Sequence, residues 1–83
     1  METALKISRK YGKLTGTKDK NVLIYMGNSF HGRTIGALSV TGQEKYQEDF
    51  RPLMDGVRRV NFNDIEDLKK NFDEKVCGII IEP

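Results

Sequence analysis

Three apolar runs punctuate the chain: VLIYM at 22–26, VRRVNF at 57–62 and VCGIIIE at 76–82. The first and last are continuous rather than alternating. That pattern marks strands buried on both faces, as in a parallel sheet. VRRVNF is apolar at Val57, Val60 and Phe62 and predicts a third strand. The intervening stretches follow a helical period. In ETALKISRKYG, residues 2–12, Ala4, Leu5, Ser8 and Tyr11 share one stripe with Ile7 beside it. Lys6, Arg9 and Lys10 face away, and Gly12 reads as the stop. RTIGALSVT, residues 33–41, predicts a short helix weakened by Gly36. NDIEDLKKNF, residues 63–72, predicts a helix with Asn63 as N-cap and Glu66 completing a capping box. Its buried stripe would be Ile65, Leu68 and Phe72, and its acids precede its lysines as the helix dipole favours. KLTGTKDKN, residues 13–21, reads as a loop. Residues 42–56 read as an irregular crossing segment with a helical turn at its start.

Helices alternating with strands predict parallel βαβ units, hence an α/β fold. In such sheets ligands bind beyond the carboxyl ends of the strands. That rule directs attention to NSFHGRTIGAL, residues 28–38, directly after VLIYM, and to Glu82 at the end of the last run. Arg33 offers a permanently charged planar fork that matches a carboxylate or phosphate with two parallel hydrogen bonds. Phe30 offers a flat face that can stack on a heteroaromatic ring. Gly32 lets the backbone approach a ligand closely. From these residues alone a second reading stays open. The chain would then be a non-catalytic βαβ ligand-binding or interaction module, with Arg33 paired to an anionic partner and Phe30 in the core.

Composition narrows the field further. The 83 residues carry 14 basic and 12 acidic side chains, for a net charge of +2, with both signs mixed along the chain. This makes no electrostatic case for nucleic acid or an anionic membrane. No apolar run approaches the length of a membrane span, and METALKISRK has no signal-peptide core. The single cysteine, Cys77, fits a reducing compartment such as the cytoplasm. One histidine and one strand-borne cysteine argue against a metal site. Ser29 and His31 are too close in sequence for a triad, and no glycine elbow surrounds the serine.

The series SFHGRTIGALSVTGQEKYQEDFRPL, then NFNDIEDL, then VCGIIIEP, resembles the class III family of pyridoxal-phosphate aminotransferases over essentially all 83 residues. The resemblance implies a three-layer αβα slice of the large domain of a fold type I enzyme, with residues 1–83 as a single partial domain. It implies pyridoxal 5'-phosphate as cofactor, an amino acid and a 2-oxo acid as substrates, and a homodimeric parent. Residue by residue, Phe30 would stack on the cofactor ring, Arg33 would bind the substrate α-carboxylate, and Glu82 would lie in the cofactor's hydrogen-bond network.

The resemblance also implies parts that are not among these residues. The family needs a lysine that carries the cofactor as a Schiff base, an aspartate for the pyridine nitrogen, and a phosphate-binding turn. The nine lysines present lie elsewhere in the family pattern. The chain is therefore expected to be a middle slice without turnover of its own. In that fold a later strand is expected to insert between VCGIIIE and VLIYM. VLIYM would then neighbour VRRVNF, and VCGIIIE would stand one strand apart. Unpaired edges of that kind would destabilise a lone fragment.

Overall fold

The computed structural model describes residues 1–82. Helix α1 spans Glu2–Thr15, strand β1 Val22–Met26, helix α2 Ile35–Ser39 and helix α3 Glu44–Gln47. A 3-10 turn follows at Glu48–Phe50. Strand β2 is Val57–Val60, helix α4 Ile65–Asn71 and strand β3 Val76–Ile80. Pro83, the last residue of the expected EP element, lies outside the described residues.

The three strands form one parallel sheet in the order β2-β1-β3. The expected gap between β1 and β3 does not exist. β3 pairs directly with β1, Ile24 opposite Ile79 and Tyr25 opposite Ile80. Strand adjacency is decided by contacts far apart in sequence, and direct pairing satisfies backbone groups that a gap would leave bare. The register slips between Val22 and Leu23, so that Val22 faces Val76 but Leu23 faces Gly78. Cys77 is the extra residue of this bulge.

Successive β1 side chains point to opposite faces and build a core on each. Val22, Ile24 and Met26 join Val60 and Val76 under Leu68 of α4. Leu23 joins Leu5 of α1 and Val40, with Met54, Val57 and Ile80 against them. Helices thus cover both faces, giving the αβα layering. Leu23, Ile24 and Val60 are fully buried, each worth about 1.5–3 kcal/mol of transfer free energy.

Helix α1 does not stop at Gly12. It runs on to Thr15, and Gly12 is buried against the sheet. A Cβ there would collide with the Lys20 carbonyl oxygen and stand 2.8 Å from Cβ of Cys77. A Cβ on Gly78 would stand 3.0 Å from the Ser8 hydroxyl. Small residues therefore let helix and strand approach closely. Of the expected stripe, Leu5 and Ser8 face the sheet. Ala4 and Tyr11 are exposed, and so is Ile7 beside them.

The N-cap of α4 is Asp64, one residue later than expected. Its side chain accepts from the Asp67 N–H at 3.0 Å. Asn63 takes a left-handed backbone at φ 57° and so turns the chain before the helix. Asp67, not Glu66, reaches back, accepting from the Asn61 N–H at 2.7 Å. Only Leu68 of the α4 stripe packs on the core, while Ile65 and Phe72 are exposed. β2 ends at Val60, before Phe62. α2 is shorter than expected because Thr34, not Arg33, caps it.

Candidate active-site segment

β1 ends at Met26, and the chain is at once bound to the segment after α2. The Gly27 N–H donates to the Val60 carbonyl at 2.8 Å, and the Asn28 N–H to that of Gly42 at 2.8 Å. Ser29 is buried. Its hydroxyl donates to the Met26 carbonyl at 2.7 Å and accepts from the Gly42 N–H at 3.1 Å. It is a structural pin rather than a nucleophile. The His31 N–H donates to the Thr41 hydroxyl at 3.1 Å, and the Gln43 amide donates to the Ser29 carbonyl at 3.2 Å. Thr41, Gly42 and Gln43 thus form a strap behind residues 27–31. Gln47 holds the other side of the strap, donating to the carbonyls of Leu38 at 2.9 Å and Thr41 at 2.7 Å.

On this frame Phe30 and Arg33 come together. The Arg33 guanidinium carbon lies 5.8 Å from the Phe30 ring centroid. Gly32, at φ 133°, makes the sharp turn between them that a side chain would resist. Thr34 then caps α2, its hydroxyl accepting from the Ala37 N–H at 3.4 Å. The same hydroxyl donates to the carboxylate of Glu2, which also accepts from the Ala37 N–H at 3.0 Å. The bond from Thr34, and then that from Ala37, hold the Glu2 carboxyl below the usual range. α1 therefore anchors the residue next to Arg33.

Glu82 does not join Phe30 and Arg33. It lines a separate cleft of about 390 Å³ with Met26, Gly27, Asn28, Ser29 and Phe62, beyond the carboxyl ends of the strands. His31 relates the two groups. Its Nε2 is buried without a hydrogen-bond partner among the described residues. Burial pushes its imidazole below the ordinary value, against the opposing pull of the Glu82 carboxylate. An imidazole with an unpartnered, buried nitrogen therefore stands near Glu82.

Two residues of this neighbourhood carried no role in the sequence reading. Tyr46, in α3, meets Phe30 edge to face at 5.4 Å and lies 5.5 Å from the Arg33 guanidinium carbon. The helical turn expected at the start of residues 42–56 is α3, and it carries Tyr46, but nothing local in the sequence showed that the ring would reach Phe30 and Arg33. Glu2 was missed because its partners are 32 and 35 residues away, and no local signal reports a contact of that range.

The arginine and aromatic ring after β1, and the separate cleft that Glu82 lines, both lie beyond the carboxyl ends of parallel strands, where α/β folds place their ligands. The family model described as aminotransferase class-III matches residues 1–83, and the chain belongs to that family. It is 54% identical over 83 residues to the acetylornithine aminotransferase of Clostridium acetobutylicum, covering 100% of this chain and 21% of that protein. It is also 54% identical over 83 residues to the mitochondrial acetylornithine aminotransferase of Debaryomyces hansenii, covering 99% of this chain and 18% of that one. Among solved structures, an (S)-enantioselective omega-transaminase from Thermomicrobium roseum superposes with a TM-score of 0.82 at 25% identity, covering 94% of this chain and 22% of that one. The chain thus spans about a fifth of the length of the curated relatives it matches.

Proposed function

We propose that this chain is the part of a pyridoxal-phosphate aminotransferase that supplies the substrate-carboxylate arginine. The donor would be N-acetylornithine or a related ω-amino acid and the acceptor 2-oxoglutarate, in arginine biosynthesis. The observation that carries this reading is Arg33: an exposed guanidinium at a strand end, making no ion pair or hydrogen bond among the described residues. Arg51 and Arg58, by contrast, pair with Glu44 at 2.7 Å and Asp73 at 2.9 Å. An unpaired planar fork is suited to a carboxylate.

The cleft lined by Glu82 and by Ser29, the residue before Phe30, has room for a planar heteroaromatic cofactor, and Phe30 would supply the ring face. When bound, pyridoxal phosphate supplies the electron sink that makes amino-group transfer feasible. The chain's own residues bind and orient. Arg33 would hold the α-carboxylate of the ω-amino donor, at the end of the molecule remote from its reacting carbon, and so orient that donor along its length. Phe30 gives that ring an apolar surface. Glu82 lines the cleft, where its carboxylate can accept hydrogen bonds. No lysine is assigned a covalent role, and the 83 residues alone are proposed to be inactive. The parent is proposed to be a homodimer. A cytoplasmic location rests on the single free cysteine, Cys77. The described residues contain no helix long and apolar enough to cross a membrane.

The test uses the full-length aminotransferase that carries this segment. Arg33→Ala is expected to raise KM for the amino-acid donor by about 10- to 100-fold, the loss of one charge-assisted bidentate contact. Cofactor affinity should change far less. Equal loss of both would remove the carboxylate role. A second check uses the 83-residue chain with pyridoxal phosphate and borohydride. Only scattered adducts on surface lysines are expected, and one unique modified lysine would contradict the proposal.

A further inference from the structure

The Arg33 guanidinium is held by aromatic rings rather than by a carboxylate. It lies 5.8 Å from the Phe30 centroid and 5.5 Å from that of Tyr46, within the range of cation–π attraction. The rings brace each other edge to face, their planes at 69°. α3 is itself fastened to the site, because the buried amide of Gln47, beside Tyr46, donates to the Leu38 and Thr41 carbonyls. Lys45 places a second cation 5.1 Å from the Tyr46 ring, which keeps the rim positive.

Building on the proposed carboxylate role of Arg33, we infer that Tyr46 is a positioning residue for the substrate carboxylate, its ring steadying the Arg33 guanidinium while the N–H donors stay available. An exposed arginine is rotamer-rich, and ordering it when a ligand arrives costs affinity. Ring contacts order it beforehand without consuming a hydrogen bond. A carboxylate partner would order it too, but would compete with the substrate.

The experiment uses the full-length holoenzyme. Tyr46→Leu is expected to raise KM for a carboxylate-bearing donor by about three- to ten-fold, as an exposed-to-desolvated cation–π contact permits. Turnover at saturation and cofactor affinity should stay near wild type. KM for an amine donor without a carboxylate should not move. Tyr46→Phe keeps the ring and should stay within about two-fold of wild type. Tyr46→Met keeps the bulk without the π face. It carries the same expectation as the leucine variant and replaces it if that variant does not fold. In an Arg33→Ala background, Tyr46→Leu or Tyr46→Met should add nothing to KM. An additive effect there, an equal loss with Tyr46→Phe, or an unchanged KM in both ring-less variants would overturn the inference. If Arg33→Ala itself leaves donor KM unchanged, the carboxylate reading fails instead, so the two failures are distinguishable.

Discussion

At the amino end of the sheet an arginine is bonded to two backbone carbonyls, while at the carboxyl end one makes no hydrogen bond among the described residues. Arg9 of α1 donates from Nε to the Asn21 carbonyl at 3.1 Å and from Nη2 to that of Asp55 at 2.6 Å. It ties together the loops that lead into β1 and β2. Beside it, Gly56 takes φ 76° and leaves room for the guanidinium. Arg33, at the other end, lies over two aromatic rings and makes no ion pair or hydrogen bond among the described residues. Both side chains have the same fork of donors. What differs is the company each keeps: backbone carbonyls at one end, aromatic surfaces at the other. The first arrangement spends the donors on cohesion, and the second leaves them for the proposed substrate carboxylate. A stabilising end and a proposed binding end are therefore separated along the strands.

This contrast breaks if substitutions at the amino end alter substrate recognition. The largest stability effect is expected from Gly12→Val. Its side chain would be driven into the Lys20 carbonyl and Cβ of Cys77. Such overpacking costs roughly 1–3 kcal/mol, read as a lower urea midpoint of the full-length enzyme, with donor KM unchanged. An unaltered midpoint would show that helix and strand are not in close contact. Arg9→Met should cost about 1–2 kcal/mol through two lost charge-assisted bonds, again without a change in KM. A donor KM that rises as far as in Arg33→Ala would erase the distinction between the two ends.

The smallest effect belongs to Glu2, which extends from α1 to the binding end. Its folded carboxyl lies below the ordinary range because Thr34 and the Ala37 N–H bond the ionised form. The unfolded chain therefore takes up the proton first as pH falls. The stabilisation is present above about pH 4.3 and is lost as pH drops through the folded value. Glu2→Gln should lower stability slightly at neutral pH, where the ionised carboxylate contributes, and flatten the acid limb, so that variant and wild type converge at low pH. An acid limb identical to wild type would show that the Glu2–Thr34 contact does not form in solution.

The strands were legible because burial on both faces leaves a continuous apolar run. β1 matches VLIYM residue for residue, and β2 and β3 begin where Val57 and Val76 begin their runs. Strand order was not legible, since Ile79 lies opposite Ile24 for reasons that neither run contains. Gly12 was misread because one residue type both ends helices and permits close packing. Asn63 and Asp64 are equally good caps by type, and only the backbone at Asn63 separates them. At the site, the strand-end rule sufficed to single out Phe30 and Arg33. Tyr46 and Glu2 were out of reach because their partners are remote in sequence.

The sheet order also has a consequence in time. β1 is the central strand, yet both its neighbours follow it in the chain. During synthesis it therefore leaves the ribosome before either of these two partners. At roughly 5–20 residues per second, the first of them is about 2–7 s behind. In that interval α1, with Leu5 in place to meet Leu23, can shelter one face of β1 in cis, while the face that carries Ile24 waits for Val60 and Leu68.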